Sequence, residues 1–429
     1  MFQIISNLHI SKYEYFYFFM MVIYMSFMTG ASRVMLGGMG DNPVAFCVPI
    51  TLTIILLTKH RVSFNNRKLL FTIGLIAFWA IIQIIVKHQY TTKSFANYLY
   101  YMYAIIIAYI HIGVYQRKLF HLYEDVMVKL SLLSLIIWTF TNIMPGLAIQ
   151  IASFFPKTTH GNNFLFLVHW ISPLGKHVEY GLTRNAGSSW EPGRFAIMVC
   201  LAILFNIYRE GVCFKGNKNV IILIVALLTT MSTTGYVMVF LIYTYMYIKK
   251  WNAKYLISII LISIPLIYVG INLNFVGKKL EKKLDVNTTV EHIEDSYAWS
   301  EQNADGTLAF SMDRFPSMVF EFENFFHDPI IGYGANLTDS YFMRTRTDKI
   351  GFTGGLVTLL SKYGIFMAIF FLYVLYMSSL STSSVFHSNK KYGLMLCFVL
   401  SMISYPLIWF PVYTAFWFYG FFLYDKKKY

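Results

Sequence analysis

The feature that most constrains this chain is a succession of long apolar runs, each near the length that crosses a bilayer. A membrane helix needs roughly 20 consecutive apolar residues. Hydropathy marks about twelve such spans, near residues 12–30, 43–58, 69–86, 95–114, 125–144, 194–209, 219–231, 234–248, 255–272, 353–377, 391–408 and 410–424. Inside hydrocarbon the backbone must satisfy its own hydrogen bonds, so spans of this length are helices. At 57 % hydrophobic and 13 % charged, the 429 residues exclude an ordinary soluble enzyme. The expected fold is an all-α polytopic membrane protein. Tyr13 to Thr29 has no small-residue cleavage site after it and reads as a retained span, not a leader.

The basic residues orient the bundle. With the N-terminus cytoplasmic, the inner segments carry Lys12, Lys59, Arg61, Arg67, Lys68, Arg117, Lys118, Arg209, Lys215, Lys218, Lys249, Lys250, Lys254, Lys390, Lys391 and Lys426 to Lys428. The short outer loops carry Arg33, Lys87 and Lys93. That asymmetry places both termini inside. It also accounts for most of the +14 net charge, so the basic balance does not call for nucleic acid. Cys47, Cys200, Cys213 and Cys397 fall in spans or one inner loop, where neither a disulfide nor a metal site is expected. The chain divides into helices over 1–144, an outer loop over 145–193, helices over 194–272, a second outer loop over 273–352, and helices with a cytoplasmic tail over 353–429.

Chemistry-bearing residues gather in the two outer loops. The first loop ends in Thr183-Arg184-Asn185-Ala186-Gly187-Ser188-Ser189-Trp190-Glu191-Pro192-Gly193-Arg194, directly before an apolar run. Ser188 or Ser189 can cap the helix that follows, and Pro192 suits its first turn. Glu191 and Arg194 then share one face at the helix mouth. A helix N-terminus with two guanidiniums is an anion site. Glu191 in that field is either a clamp for the arginines or a base beside a substrate. Earlier in this loop, Phe164 to Ile171 is too short to span and reads as an interfacial or re-entrant helix. His160, His169 and His177 read first as surface or interface histidines.

In the second loop, Lys278 to Lys283 with Glu291, Glu294 and Asp295 reads as a solvated helix face. Further on, Phe315, Met318, Val319, Phe322, Phe325 and Phe326 recur at helical spacing. They predict an amphipathic helix on the membrane or the bundle, with Arg314 at its start and Pro329 ending it. Asp328-Pro329-Ile330-Ile331-Gly332-Tyr333-Gly334 is then a tight turn, and Arg344, Arg346 and Lys349 add a second cationic cluster. Trp190, Tyr333 and Tyr341 can pack against sugar faces, with interface anchoring as the plainer reading. Lys362 lies two to three turns into a span; snorkelling is its plainer account and a phosphate contact the sharper one. Arg33 and Asp41, at the first outer turn, are either site residues or ordinary loop charges.

Arg184 with Trp190-Glu191-Pro192-Gly193, then Asp313-Arg314-Phe315 and Pro329 to Gly334, resembles the O-antigen polymerase and ligase superfamily. Gly351-Phe352-Thr353-Gly354-Gly355-Leu356 and Lys362-Tyr363-Gly364-Ile365 extend the resemblance. It implies a GT-C type membrane fold and a metal-independent glycosyltransferase without cofactor. Its substrate would be an undecaprenyl-diphosphate-linked oligosaccharide, joined on the outer face of the bacterial inner membrane into O-antigen, capsule or exopolysaccharide. A chain-length regulator protein is the further partner it implies. Arg184, Arg194 and Arg314 fall at the diphosphate and sugar anchors, with Arg344 beside them, and Glu191 is the candidate base. The ligase branch carries a His before the helix after its large loop; here Lys349-Ile350-Gly351-Phe352-Thr353 has none, which favours polymerase over ligase. The competing class is a flippase. It would carry ionisable residues within many spans and show related halves, and this chain shows neither.

Overall fold

The computed structural model describes residues 11–27, 44–154, 163–165, 169–171, 178–179, 182–189, 191–248, 310–311, 314–345, 350–351, 355–402, 405 and 407–423. These fold as a helical bundle. Its helices are α1 (Lys12–Phe27), α2 (Val44–Lys59), α3 (Arg67–Val86), α4 (Thr92–Tyr115), α5 (Lys118–Ile143), α6 (Pro145–Ala152), α7 (Pro192–Glu210), α8 (Lys218–Thr229) and α9 (Thr233–Tyr247). After the second loop come α10 (Arg314–His327), α11 (Tyr341–Thr345), α12 (Gly355–Val385), α13 (Gly393–Met402) and α14 (Pro411–Leu423). Five described helices, within α3, α4, α5, α7 and α12, are long and apolar enough to cross a membrane. The chain is thus an all-α membrane protein by the length and composition of its helices. The expected span at 255–272 lies outside the described residues.

α7 is the axis of the bundle. Every residue from Pro192 to Tyr208 is buried, as befits a helix apolar on all sides, and it packs against α5, α8, α9 and α13. A second group joins α4, α12 and α14. Trp417 of α14 sits in its centre and donates to the Phe371 carbonyl at 2.8 Å. Polar side chains start several helices: Asn66 caps α3, Thr91 caps α4 and Ser232 caps α9.

Three expectations are corrected. Phe164 to Ile171 is not a helix: Asn163–Leu165 (β1) and His169–Ile171 (β2) pair antiparallel as a short hairpin. The hairpin closes the backbone bonds of this run locally. His169, read as a surface or interface residue, is only 2 % exposed. Neither Ser188 nor Ser189 caps α7. The cap position belongs to Glu191, whose backbone is extended at φ −137°, ψ 134°, the form a residue before proline prefers.

The amphipathic helix exists, as α10, but the face turned to the bundle carries its polar residues alongside Phe320. Ser317, Glu321 and Asn324 are buried against the bundle, while Val319, Phe322 and Phe326 are exposed. A globular helix would do the reverse. In a chain bathed in lipid, an outward phenylalanine ridge has an apolar solvent to meet.

Candidate functional site

The described stretches of the two loops lie at one end of the bundle. The segment 182–189 is tied there by side chains from α5. Trp138 Nε1 donates to the Thr183 carbonyl, and the Asn142 side-chain oxygen accepts from the Thr183 amide at 2.8 Å. Asn185 continues the strap: its amide N–H donates to the Thr229 carbonyl at 2.9 Å, and its side chain reaches Ser134 and the Thr229 hydroxyl. Gly187, at φ 52°, turns the chain over Phe195, whose ring leaves no room for a side chain there. These ties fix Arg184 and deliver Glu191 to the start of α7.

Two of the expected arginines are thereby placed at the same end, but against different elements. Arg184 Nε donates to the Thr230 carbonyl at the α8–α9 turn, at 3.0 Å. Arg194, only 8 % exposed, lies over the Phe410 ring at 4.6 Å and the Tyr405 ring at 5.6 Å. Flat guanidinium on an aromatic face is a favourable geometry that lysine does not reproduce. Glu191 holds the N-cap position of α7 and Arg194 lies in its first turn, so both stand at the helix mouth. Arg344 is exposed and stands 4.0 Å from Asp328. Tyr341 stacks on His327 with ring centres 3.3 Å apart. The side chains of Trp190 and Arg314 lie outside the described residues, as do Arg33, Asp41, His160, His177, Arg346 and Lys349.

Tyr333 is placed differently from the expectation that its ring meets a sugar. It is 3 % exposed, with its hydroxyl held toward Glu321 and Ser361. Its backbone belongs to a latch between the second loop and α12. α12 breaks at Gly364, φ 73° and ψ 171°, a region open in practice only to glycine. The 328–334 turn fills the break. The Tyr333 and Gly334 amides donate to the Ser361 and Lys362 carbonyls at 2.8 and 3.1 Å, and the Ile365 amide donates to the Pro329 carbonyl at 2.9 Å. Side chains complete the set: Gln83 Nε2 donates to the Ile331 and Lys362 carbonyls, Trp79 Nε1 to the Tyr363 carbonyl. Lys87 pairs with Asp328 at the turn's start.

Sequence reasoning missed Glu321. Its carboxylate is fully buried between α10 and α12, accepting from Ser361, from Thr358 at 3.0 Å and from Asn324 at 3.5 Å. Burial pushes its carboxyl upward, opposed by those donors and by the charge of Lys362. The signal was present: Ser317, Glu321 and Asn324 recur at helical spacing opposite the phenylalanines. Among the described residues, no group of three or more His, Cys, Asp and Glu side chains is arranged to hold a metal. Compared with protein-family models the chain matches none, and it matches no curated protein.

Proposed function

We propose that this chain is a membrane glycosyltransferase that polymerises undecaprenyl-diphosphate-linked oligosaccharides. On this reading it has about twelve spans, both termini in the cytoplasm and its loop end on the outer face of a bacterial inner membrane. The single observation that carries the proposal is the strap from Arg184 to Arg194. It is anchored along its length, and it sets two guanidiniums and the Glu191 carboxylate at one end of the bundle. The chemistry needs those groups. The acceptor hydroxyl oxygen attacks the anomeric carbon of the donor sugar, and the bond from that carbon to the diphosphate oxygen breaks. The diphosphate leaves with the electron pair, its charge met by arginine. The hydroxyl proton passes to Glu191. The test is direct: purified protein in a bilayer, supplied with a lipid-linked repeat unit, yields a ladder of longer glycans. Absence of any glycan extension by folded wild-type protein overturns the reading.

One observation favours a second reading, a flippase for the same lipid. A discontinuous helix such as α12 is a common mark of transporters. Here, however, the carbonyls of Ser361, Lys362 and Tyr363 at the break are capped by the protein itself. Proteoliposomes that move the lipid-linked sugar between leaflets without extending it would select this alternative.

A further inference from the structure

The chain between α10 and α11 descends beside α3 and comes back, and its contacts mark the path in order. Asp328 pairs with Lys87, just past the end of α3. The Ile331 carbonyl then accepts from Gln83 at 2.6 Å, four residues further into that helix. At 1.5 Å per residue, Gln83 lies roughly 6 Å below Lys87 along the axis. Next, the Tyr333 carbonyl accepts from Gln89 at 2.8 Å, and Asn336 donates to the Ser94 hydroxyl in the first turn of α4. Gln83 belongs to the apolar stretch of α3, one of the helices long enough to cross a membrane. The turn therefore reaches below the rim at which that helix ends.

Its backbone is equipped for that depth. The amides of Gly332, Tyr333, Gly334 and Ala335 donate to the Asp328, Ser361 and Lys362 carbonyls and to Gln89 Oε1. The carbonyls of Pro329, Ile331 and Tyr333 accept from the Ile365 amide, Gln83 and Gln89. Gln83 itself is fully buried. Irregular backbone at membrane depth survives only where the protein satisfies it, and here the protein does so. The apolar side chains face the other way. Val319, Phe322 and Phe326 of α10 and Ile330 of the turn are exposed. The bond from the Ile365 amide to the Pro329 carbonyl sets Ile330 beside Ile365, from which Phe366 and Ile369 continue the exposed face of α12. The ridge is thus continuous with the outward face of a helix that is itself long and apolar enough to span.

We propose that the C-terminal half of α10 and the 328–334 turn are seated in the bilayer leaflet at the loop end, with Phe326 and Ile330 among phospholipid acyl chains. The partner is the hydrocarbon of the bilayer, and the assignment does not depend on the glycosyltransferase reading. It leaves Lys87, Asp328 and Arg344 at the headgroup boundary, where charged side chains are stable.

The experiment uses the wild-type chain in nanodiscs of phosphatidylcholine that carries a diazirine on one acyl chain. After illumination, lipid adducts are mapped by mass spectrometry. With the diazirine near the glycerol end of the acyl chain, adducts should fall on 322–330 and around Ile85 of α3. With it at the methyl end, they should shift to Phe78, deeper in α3. The 211–217 turn, at the opposite end of the bundle, should stay unmarked by either lipid. Marked α3 with unmarked 322–330 overturns the proposal. A water-soluble diazirine then says what covers the ridge: marking of 322–330 by that reagent means solvent, and marking by neither means a protein surface such as a second copy of the chain. Absence of adducts from α3 as well would remove the spanning role of that helix, and the proposal with it.

Discussion

α7 carries an arginine near each end, and the two are treated in opposite ways. Arg209, in the last turn, is closed by carboxylate: Nε donates to Glu124 of α5 at 3.1 Å, and the same Glu124, 2 % exposed, also accepts from Asn206. Arg194, in the first turn, lies on the faces of Phe410 and Tyr405. One charge is neutralised by a dedicated partner within the bundle. The other lies on the faces of rings, in the first turn after Glu191. The difference extends to the ends themselves. Opposite the loops, Lys390 is consumed by the Tyr245 and Ile248 carbonyls and Tyr208 by that of Lys390. At the loop end, Lys362 sits over tyrosines. Structure and candidate chemistry are divided between the two ends of one helix.

The largest effect expected is at the latch, which belongs to both stability and site. A Cβ on Gly364 would fall 1.9 Å from the Ile330 carbonyl oxygen at a φ of 73°. Gly364→Ala should cost roughly 3 kcal/mol or more and displace the 328–334 turn, seen as a lowered melting temperature and new protease sensitivity in the second loop. Wild-type melting would mean the latch is looser than its hydrogen bonds imply.

Glu124→Ala comes next. It breaks the buried pair and leaves Arg209, 27 % exposed, with Glu210 as its remaining carboxylate at 2.8 Å, so the loss should be about 3 kcal/mol, the low end for a broken buried pair. Turnover per folded molecule should not change. A variant that melts normally but loses activity would erase the division between the ends.

Glu191→Gln should reduce turnover about 10²-fold with lipid binding intact, if the carboxylate takes the proton. If it clamps Arg194 instead, binding and rate should fall together. Parallel titration and kinetics decide.

The loop end should also be acid-labile. Burial holds His169 down to about 3, from an ordinary value near 6.5. The unfolded chain therefore binds a proton that the folded one refuses across that window, and stability falls as pH drops below about 6.5. By pH 5 the loss is about 2 kcal/mol. Hydrogen exchange should show β1 and β2 opening at pH 5 but not at pH 7.5, and His169→Gln should abolish the difference.

The smallest effect concerns Arg194→Lys, which keeps charge and loses the flat fork. Turnover should fall about tenfold while melting moves little. The same exchange at Arg209 should do the reverse, shifting melting and sparing turnover.

Most helices were legible because apolar length is a strong signal: the expected 69–86, 194–209 and 234–248 became α3, α7 and α9 within a few residues. The extended backbone of Glu191 was legible too, because Pro192 dictates it. What failed depended on contacts distant in sequence. Nothing local says that Phe164 to Ile171 pairs with itself, or that His169 is covered. The α10 periodicity was plain, but its sign was not, since Glu321 turns inward only because Thr358 and Ser361 wait for it. Tyr333 could not be told from a sugar platform until the helix break that swallows it was seen. Of the candidate site, the strap residues were read from sequence, whereas Arg194 gained its aromatic bed from Tyr405 and Phe410, far along the chain.

The inverted faces of α10 carry a consequence for biosynthesis. Its buried carboxylate is made before the hydroxyls that accommodate it: Thr358 and Ser361 follow Glu321 by 37 and 40 residues. When α10 leaves the ribosome it therefore has no proper berth, with phenylalanines inviting the bilayer and the Glu321 carboxylate forbidding entry. It must wait at the membrane surface until α12 is inserted. A stop codon or a stalled ribosome between the two would leave this helix as the exposed, chaperone-dependent part of the nascent chain.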